Sequence, residues 1–292
     1  MLIRDRLAEG PTLSFEFFPP RDGLGFWDLR GAIDSLHPLS PDFVSVTCPA
    51  NRSTPTAELA VRIKRDLRIE SMAHLTCSGA SRAEIAHVVD GLCANDIGNI
   101  LVLRGDPPEG EPQFTPADGG FRYASELAAF IRERHPSLCL GGACYPEGHP
   151  EAPNREKDLE NLKKKVDAGV DFLITQLFFD NADFLAFRER AHRAGIHVPI
   201  LAGIMPVLSV RQIKRFTQMC GATIPKDLLK RIEAVEDDAE AVRQIGMYHA
   251  TEQCRGLLRE GAAGMHFYTL NGSTATRAIF QYIRSDAARS MS

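Results

Sequence analysis

A single acidic residue lies inside an apolar segment near the start of the chain. The segment 14–20 reads SFEFFPP, so Glu16 stands among three phenylalanines and ahead of a proline pair. A carboxylate in apolar surroundings is costly to bury, and it tends to pair with a cation or to take up a proton. If the phenylalanines surround Glu16 with a medium of low dielectric constant, it is suited to general acid chemistry. The alternative is a strand-end residue that faces water, and this segment alone does not separate the two.

Two further groups of charged residues have alternative interpretations. Arg104 and Asp106 could bridge neighbouring loops, or they could bind a phosphate and the polar edge of a heterocycle. Asp158, Asn161 and Lys165 fall at i, i+3 and i+7, on one side of a predicted helix. That side could reach a ribose and a pyrophosphate, although the spacing alone favours a solvated helix face.

The composition narrows the class of protein. Of 292 residues, 44% are hydrophobic and 25% are charged, and the formal net charge is −4. These values are ordinary for a globular protein and give no electrostatic reason to expect nucleic acid or a membrane surface as a partner. The seven cysteines form no CxxC pair, and no metal-ligand cluster is evident. The segment Met1–Arg6 lacks the apolar core of a signal peptide, so we expect a cytoplasmic protein.

Apolar segments alternate with amphipathic ones along the whole chain. Eight short apolar segments predict strands at 13–18, 43–47, 71–77, 99–104, 138–145, 172–178, 199–203 and 264–268. Amphipathic segments predict helices at 27–35, 56–67, 81–95, 123–135, 156–168, 182–194, 210–219, 226–232 and 239–260. Eight βα units indicate a (β/α)8 TIM barrel, α/β in class, with residues 1–292 as one domain. A doubly wound sheet is less favoured because no G-x-G-x-x-G loop follows an early strand, and we expect residues 285–292 to be frayed.

In a barrel of this kind the active site lies at the carboxyl ends of the strands. Six predicted strands carry polar residues at or near those ends: Glu16, Thr47, His74 and Thr76, Arg104 and Asp106, Tyr145 and His149, and Gln176. We therefore expect these side chains to meet at one face of the barrel.

The same segments resemble the bacterial methylenetetrahydrofolate reductase family. The matching motifs are SFEFFPP at 14–20, FVSVT at 43–47, HLTC at 74–77, LRGD at 103–106, YPEGHPEA at 145–152, KVDAG at 165–169, ITQLFFD at 174–180, GIMPV at 203–207 and HFYTLN at 266–271. They occur in family order over nearly the whole chain.

The resemblance implies a TIM-barrel flavoenzyme with FAD as cofactor and NAD(P)H as co-substrate. It would reduce 5,10-methylenetetrahydrofolate to 5-methyltetrahydrofolate by ping-pong hydride transfer, with no nucleic acid or membrane partner, and act as a homo-oligomer. By similarity, Glu16 is the general acid that protonates the folate, and Asp106 lies near the flavin and also holds the pterin ring. The implied substrate contacts are Thr47, Asp106, Gln176, Gln212 and Phe216. The implied flavin contacts are Ala50, His74, Arg104, Gly105, Asp106, Tyr123, Ala124, Tyr145, His149, Ala152, Asp158, Asn161, Lys164 and Lys165.

The chain departs from the family pattern at two places that bear on ligands. After Thr47 the family usually has Tyr-Gly-Ala, whereas this chain has Cys48-Pro49-Ala50. Gly272 stands where the family often has an arginine that contacts folate. Two alternatives therefore stay open. One is a folate one-carbon oxidoreductase of a specialised pathway that runs in the oxidative direction, and the other is a non-catalytic subunit that binds flavin or folate.

Overall fold

Eight parallel strands form a closed barrel in which every strand pairs with its neighbours in chain order and β8 pairs with β1. The computed structural model describes residues 1–20, 23–49, 53–107, 113–272 and 274–290. The strands are β1 Thr12–Phe17, β2 Phe43–Val46, β3 Ser71–Thr76, β4 Asn99–Leu103, β5 Cys139–Cys144, β6 Phe172–Thr175, β7 Ile200–Ile204 and β8 Gly264–Tyr268. The predicted TIM-barrel class is confirmed.

Helices follow the strands and cover the outside of the barrel. They are α1 Ile3–Glu9, α2 Gly23–Leu36, α3 Ser53–Leu67, α4 Arg82–Ala94, α5 Ala124–Arg134, α6 Arg155–Asp167, α7 Asn181–Arg193, α8 Val210–Cys220, α9 Lys226–Glu233, α10 Ala239–Arg259 and α11 Thr274–Ser290. None of the helices in the described part of the chain is long and apolar enough to cross a membrane.

Alternation along β1 separates Glu16 from the phenylalanines beside it. Phe15 and Phe17 belong to the large cluster between strands and helices, where the Phe15 ring lies 5.0 Å from the Phe280 ring of α11. Successive side chains of a strand point to opposite faces, so Glu16 points into the barrel. Phe18 is exposed. The prediction that the phenylalanines surround the carboxyl group is therefore wrong, because they lie on the other face of the strand.

Helix α1 closes the amino-terminal end of the barrel. Its residues Ile3 and Leu7 are buried in a second apolar cluster inside the barrel, and the backbone N–H of Ile3 donates to Asn99 Oδ1 at 2.8 Å. The strand residues of this cluster are Phe43, Met72, Leu101, Cys139, Phe172, Ile174 and Leu201. The barrel is thus packed at this end, and Glu16, near the end of β1, lies towards the other.

Three sequence predictions of elements need correction. β6 ends at Thr175 and not at Phe178, so Gln176 lies one residue beyond the strand. The reason is that the next backbone N–H, that of Leu177, bonds to the Gln176 side chain and not to a neighbouring strand. Helices α1 and α11 were not predicted. α11 continues to Ser290, so a helix covers 285–290 of the segment expected to be frayed, and the fraying itself stays a prediction.

Candidate active site

The Glu16 carboxyl group lies between two imidazole rings at the carboxyl end of the barrel. Glu16 Oε2 is 3.5 Å from His74 Nε2 on β3 and 3.6 Å from His266 Nε2 on β8. Glu16 is 7% exposed, so its side chain is largely removed from solvent. Both separations are too long for good hydrogen bonds, and such contacts often tighten only when a substrate binds.

His74 is a neutral imidazole at neutral pH. Burial lowers its pKa to about 4, although the nearby Glu16 carboxylate acts in the opposite direction. Within the described residues, His74 Nε2 and the buried Thr47 Oγ1 have no hydrogen-bond partner. Buried polar atoms are nearly always paired, so these two favour a polar ligand at this end of the barrel.

His266 lies further inside the barrel than Glu16, and serines of two neighbouring strands contact its imidazole ring. Ser14 Oγ is 2.7 Å from its Nδ1, and Ser45 Oγ is 3.1 Å from its Nε2. The Phe43 ring stacks on the imidazole at a centroid distance of 5.8 Å. His266 is fully buried, so its polar partners are those that the barrel supplies.

Tyr268 forms a further wall beside Glu16, its register partner on β1. Its hydroxyl group donates to the Thr175 carbonyl oxygen at 2.6 Å. Burial raises the pKa of this phenol well above its usual value, and the Glu16 carboxylate adds to the effect. A side chain at Gly203 would meet the Thr175 carbonyl oxygen at 2.2 Å, so glycine is needed where β7 passes this pair.

The loop after β8 holds the end of β1 in place. Thr269 Oγ1 donates to the Glu16 carbonyl oxygen at 2.5 Å. Asn271 accepts from the backbone N–H of Phe18 at 2.8 Å and donates to its carbonyl oxygen at 3.0 Å. Gly272 caps the turn by donating its N–H to the Thr269 carbonyl oxygen at 2.8 Å. These bonds fix the Glu16 backbone across the closure of the barrel.

Arg104 is bound by a carboxylate from the loop after β5. Its guanidinium group makes a bidentate pair with Glu151, at 2.5 Å and 2.7 Å, and it lies over the Phe114 ring. Of the two interpretations of Arg104 and Asp106, loop bridging is thus made by Glu151 and not by Asp106, which is exposed. Gly105 has φ +85°, and a Cβ there would lie 3.0 Å from the side chains of both Thr76 and Ser78.

The loop that begins at Tyr145 is folded against α6. The Tyr145 and His149 rings meet edge to face with centroids 4.5 Å apart. The backbone N–H of His149 donates to Asp158 Oδ2 at 3.2 Å. Lys165 Nζ, two turns further along α6, donates to the Ala143 carbonyl oxygen at 2.7 Å. Burial raises the pKa of Asp158 and of Tyr145 (to about 12), and lowers those of Lys165 and His149.

The polar and charged residues of α6 therefore fall into two groups, one packed against the barrel and one facing solvent. Asp158 and Lys165 are half-buried against β5 and its loop, whereas Asn161 and Lys164 are exposed. The sequence interpretation as a solvated face holds for Asn161 and Lys164 but not for the other two.

The remaining predicted site residues lie around the same end of the barrel. Tyr123 is 53% exposed at the start of α5, and Ala124 after it is buried. The Ala152 N–H donates to the His149 carbonyl oxygen at 2.9 Å. Gln212 is exposed on α8, and Phe216 packs on the apolar cluster around Met205 and Val207. Ala50 lies outside the described residues.

One departure from the family pattern touches β3. Cys48 Sγ lies 3.9 Å from Thr76 Oγ1, and burial raises the pKa of the Cys48 thiol. A thiol thus takes the place of the usual aromatic side chain at this point of the mouth.

Four residues that contact or support Glu16 had no role assigned from the sequence: Ser14, Ser45, His266 and Tyr268. The signal was available in the alternation of the strands. In register, Ser14 pairs with His266, while Glu16 pairs with Tyr268 and with Ser45. Every second residue from Glu16 along β1 faces inward, so Ser14 was predictable as a barrel residue.

Fold and site together define a TIM-barrel protein with a buried carboxyl group at its mouth and basic groups beside it. The family model described as methylenetetrahydrofolate reductase matches residues 2–284, and the chain belongs to this family. The 5,10-methylenetetrahydrofolate reductase of Escherichia coli is 40% identical over 272 residues, which are 92% of this chain and 89% of that protein. Methylenetetrahydrofolate reductase (NADH) 1 of Arabidopsis thaliana is 38% identical over 92% of this chain. The chain spans about half the length of this plant relative, 48%.

A solved structure supports the fold. A protein from Clostridium thermocellum, described as binding two copies of 5-methyl-5,6,7,8-tetrahydrofolic acid, has a TM-score of 0.65 at 16% identity. The match covers 96% of this chain and 97% of that one, and at this identity it shows a shared fold alone.

Proposed function

We propose that this protein reduces 5,10-methylenetetrahydrofolate to 5-methyltetrahydrofolate, with FAD as cofactor and NAD(P)H as electron donor. The observation that carries the proposal is the Glu16 carboxyl group, enclosed by a neutral His74 and by His266 at the carboxyl end of the barrel. The family, and the E. coli relative that matches over most of its length, support the same reaction. We further propose a cytoplasmic homo-oligomer.

The residues at the mouth fit a flavin dinucleotide. His74 Nε2 and Thr47 Oγ1 are buried without partners, and Gly105 leaves room where a Cβ would be crowded. Arg104 and Lys165 are basic side chains of the type that binds phosphate. Arg104 is paired with Glu151, so in this proposal phosphate oxygens would take the place of that carboxylate. When bound, FAD would supply hydride transfer from NAD(P)H to the folate.

In the proposed mechanism Glu16 delivers a proton to an amine nitrogen of the folate. The bond between this nitrogen and the bridging methylene carbon can then break, which opens the bridge. A carboxyl group can donate this proton when it is enclosed and kept from bulk water. The neutral imidazole of His74 adds no positive charge beside the Glu16 carboxyl group. Thr269 and Asn271 keep the β1 backbone in position while the proton moves.

The other site residues orient the ligands in this proposal. Asp106 and Gln176 would bind the pterin ring, while Thr47, Gln212 and Phe216 would contact the substrate. The remaining flavin contacts proposed are Ala50, His74, Arg104, Gly105, Tyr123, Ala124, Tyr145, His149, Ala152, Asp158, Asn161, Lys164 and Lys165. The C. thermocellum neighbour, described as binding a methyltetrahydrofolate, supports folate at a barrel of this shape.

The test is a spectrum of the purified protein after reconstitution with FAD. We expect a yellow protein that NADH or NADPH bleaches and that methylenetetrahydrofolate restores. Glu16→Gln should slow the folate step by about a hundredfold or more and leave bleaching by NAD(P)H unchanged. Glu236→Gln, on the surface between α9 and α10, is the matched control. A protein that binds no FAD, or whose reduced flavin is not re-oxidised by the folate, would contradict the proposal.

A further inference from the structure

His266 is a buried titratable residue that the proposed chemistry does not use. Its side chain has no solvent exposure, and its Nε2 lies 3.6 Å from Glu16 Oε2. Its register partner Ser14 precedes Glu16 by two residues on β1, and both face into the barrel. The imidazole therefore lies directly inward of the carboxyl group.

The hydroxyl group of Ser14 determines which ring nitrogen carries the proton. Ser14 Oγ is 2.7 Å from His266 Nδ1 and 3.3 Å from the Met265 carbonyl oxygen. A hydroxyl group has one proton to donate but can also accept. If Ser14 donates to Met265, Nδ1 carries the ring proton and donates to Ser14; if Ser14 donates to Nδ1 at the shorter contact, the neutral ring carries its proton on Nε2. In the second tautomer the N–H faces Ser45 Oγ at 3.1 Å and the Glu16 carboxyl group.

Aromatic contacts keep the ring from turning away. The Phe43 ring stacks against it at an interplanar angle of 16°, and the Tyr268 ring meets it edge-on at 86°, each with centroids 5.8 Å apart. The two serines hold opposite nitrogens of the same ring. The orientation of the imidazole ring is thus fixed by four side chains.

We propose that His266 is a positioning residue for Glu16. Ser14 fixes it as the Nε2–H tautomer, and this N–H holds the carboxyl group towards the barrel mouth when substrate is bound. The inference rests on the proposed function, because it assigns His266 a part in the acid step. His74 differs from His266 in its hydrogen bonds. Its Nε2 is 3.5 Å from Glu16 Oε2, but it has no hydrogen-bond partner among the described residues, so in this proposal it remains available to a ligand.

Kinetic measurements on the FAD-loaded enzyme test this division. Flavin reduction by NADH and re-oxidation by methylenetetrahydrofolate are followed separately by stopped-flow absorbance. Ser14→Ala should slow the folate step by about tenfold, the effect of one lost hydrogen bond, and leave reduction by NADH unchanged. His266→Phe, which keeps an aromatic ring against Phe43, should slow it more, and His266→Gln, which keeps an N–H donor, should restore part of the rate.

The matched control is Ser71→Ala, which removes another fully buried barrel hydroxyl. Ser71 Oγ donates to the Ala60 carbonyl oxygen at 2.8 Å, away from Glu16. It should leave both steps unchanged. If Ser71→Ala matches the effect of Ser14→Ala, or if Ser14→Ala slows both steps equally or neither, the inference is wrong.

Nuclear magnetic resonance of the flavin-free protein gives a second readout. With ¹⁵N-labelled histidine, the His266 signals are those lost in His266→Phe or His266→Gln. We expect the Nε2–H tautomer in the unmodified protein and a shift towards Nδ1–H in Ser14→Ala. The Nδ1–H tautomer in the unmodified protein would overturn the inference. The proposed function fails separately, if the unmodified reduced enzyme does not transfer hydride to the folate.

Discussion

The two imidazoles beside Glu16 are alike in distance but differ in what surrounds them. His266 is bonded through both nitrogens to hydroxyl groups of the barrel, whereas His74 Nε2 has no partner within the described residues. Burial of an unpaired imidazole disfavours its charged form, which accounts for the lowered pKa of His74. The polar atoms of His266 are therefore paired within the protein, whereas a buried nitrogen of His74 is left without a hydrogen-bond partner among the described residues.

The lowered pKa of His74 predicts a loss of stability in acid. Its pKa is about 4 in the folded protein and 6.5 when unperturbed, so between these values the unfolded chain binds more protons. The free energy of unfolding should therefore fall as the pH is lowered from 6.5 to 4, with His74 contributing about 3 kcal/mol of that fall. Urea unfolding across this range should show a smaller fall for His74→Gln.

The control for this measurement is His87→Gln, on the exposed side of α4. It should leave the pH dependence as it is in the unmodified protein. An equal fall in His74→Gln and in the unmodified protein would show that His74 is not the group responsible.

At the scale of elements, α1 has a structural task and no contact with the site. Ile3 is fully buried at the amino-terminal end of the barrel, and its side chain packs in the inner apolar cluster. Truncating the Ile3 side chain to alanine would leave a cavity that the closed barrel cannot readily fill.

Ile3→Ala should lower the free energy of unfolding by about 2–4 kcal/mol, measured by urea denaturation. The activity per folded molecule should stay the same, because the substituted side chain lies at the opposite end from Glu16. Glu9→Ala, at the exposed end of the same helix, is the control and should change stability by less than about 0.5 kcal/mol. A large loss of activity in Ile3→Ala at full folding would contradict this separation.

Local sequence patterns predicted all eight strands and nine of the eleven described helices, but α2 begins at Gly23 and α3 at Ser53, four and three residues before their predicted starts. α11 was missed although Ala275, Ile279 and Ile283 are all buried and spaced by four, a helical pattern that was readable. α1 is only seven residues long, too short for periodicity to identify. The neighbours of Glu16 were harder, since His266 meets Ser14 only because β8 closes on β1 across some 250 residues of sequence. The resemblance identified the motif at 266–271 but gave His266 no role.

At the scale of the whole molecule, the interior of the barrel is packed from its amino-terminal end to the Glu16 carboxyl group. Helix α1 lies at the bottom, then the apolar cluster with Phe43, then His266 with its two serines, and Glu16 above them. That residues 1–292 form one domain stays a prediction, as does the homo-oligomer.

This layered packing has a consequence for steady-state kinetics. In the proposed reaction Glu16 would be approached from the carboxyl end of the barrel, so the nicotinamide and the folate would use the same end in turn. Initial rates with both concentrations varied should give parallel double-reciprocal lines, with inhibition by either reactant in excess. Intersecting lines would contradict a shared entrance. In the proposed reaction the packed interior beneath Glu16 would make each reactant a competitor of the other, and turnover would depend on the ratio of their concentrations as well as on their amounts.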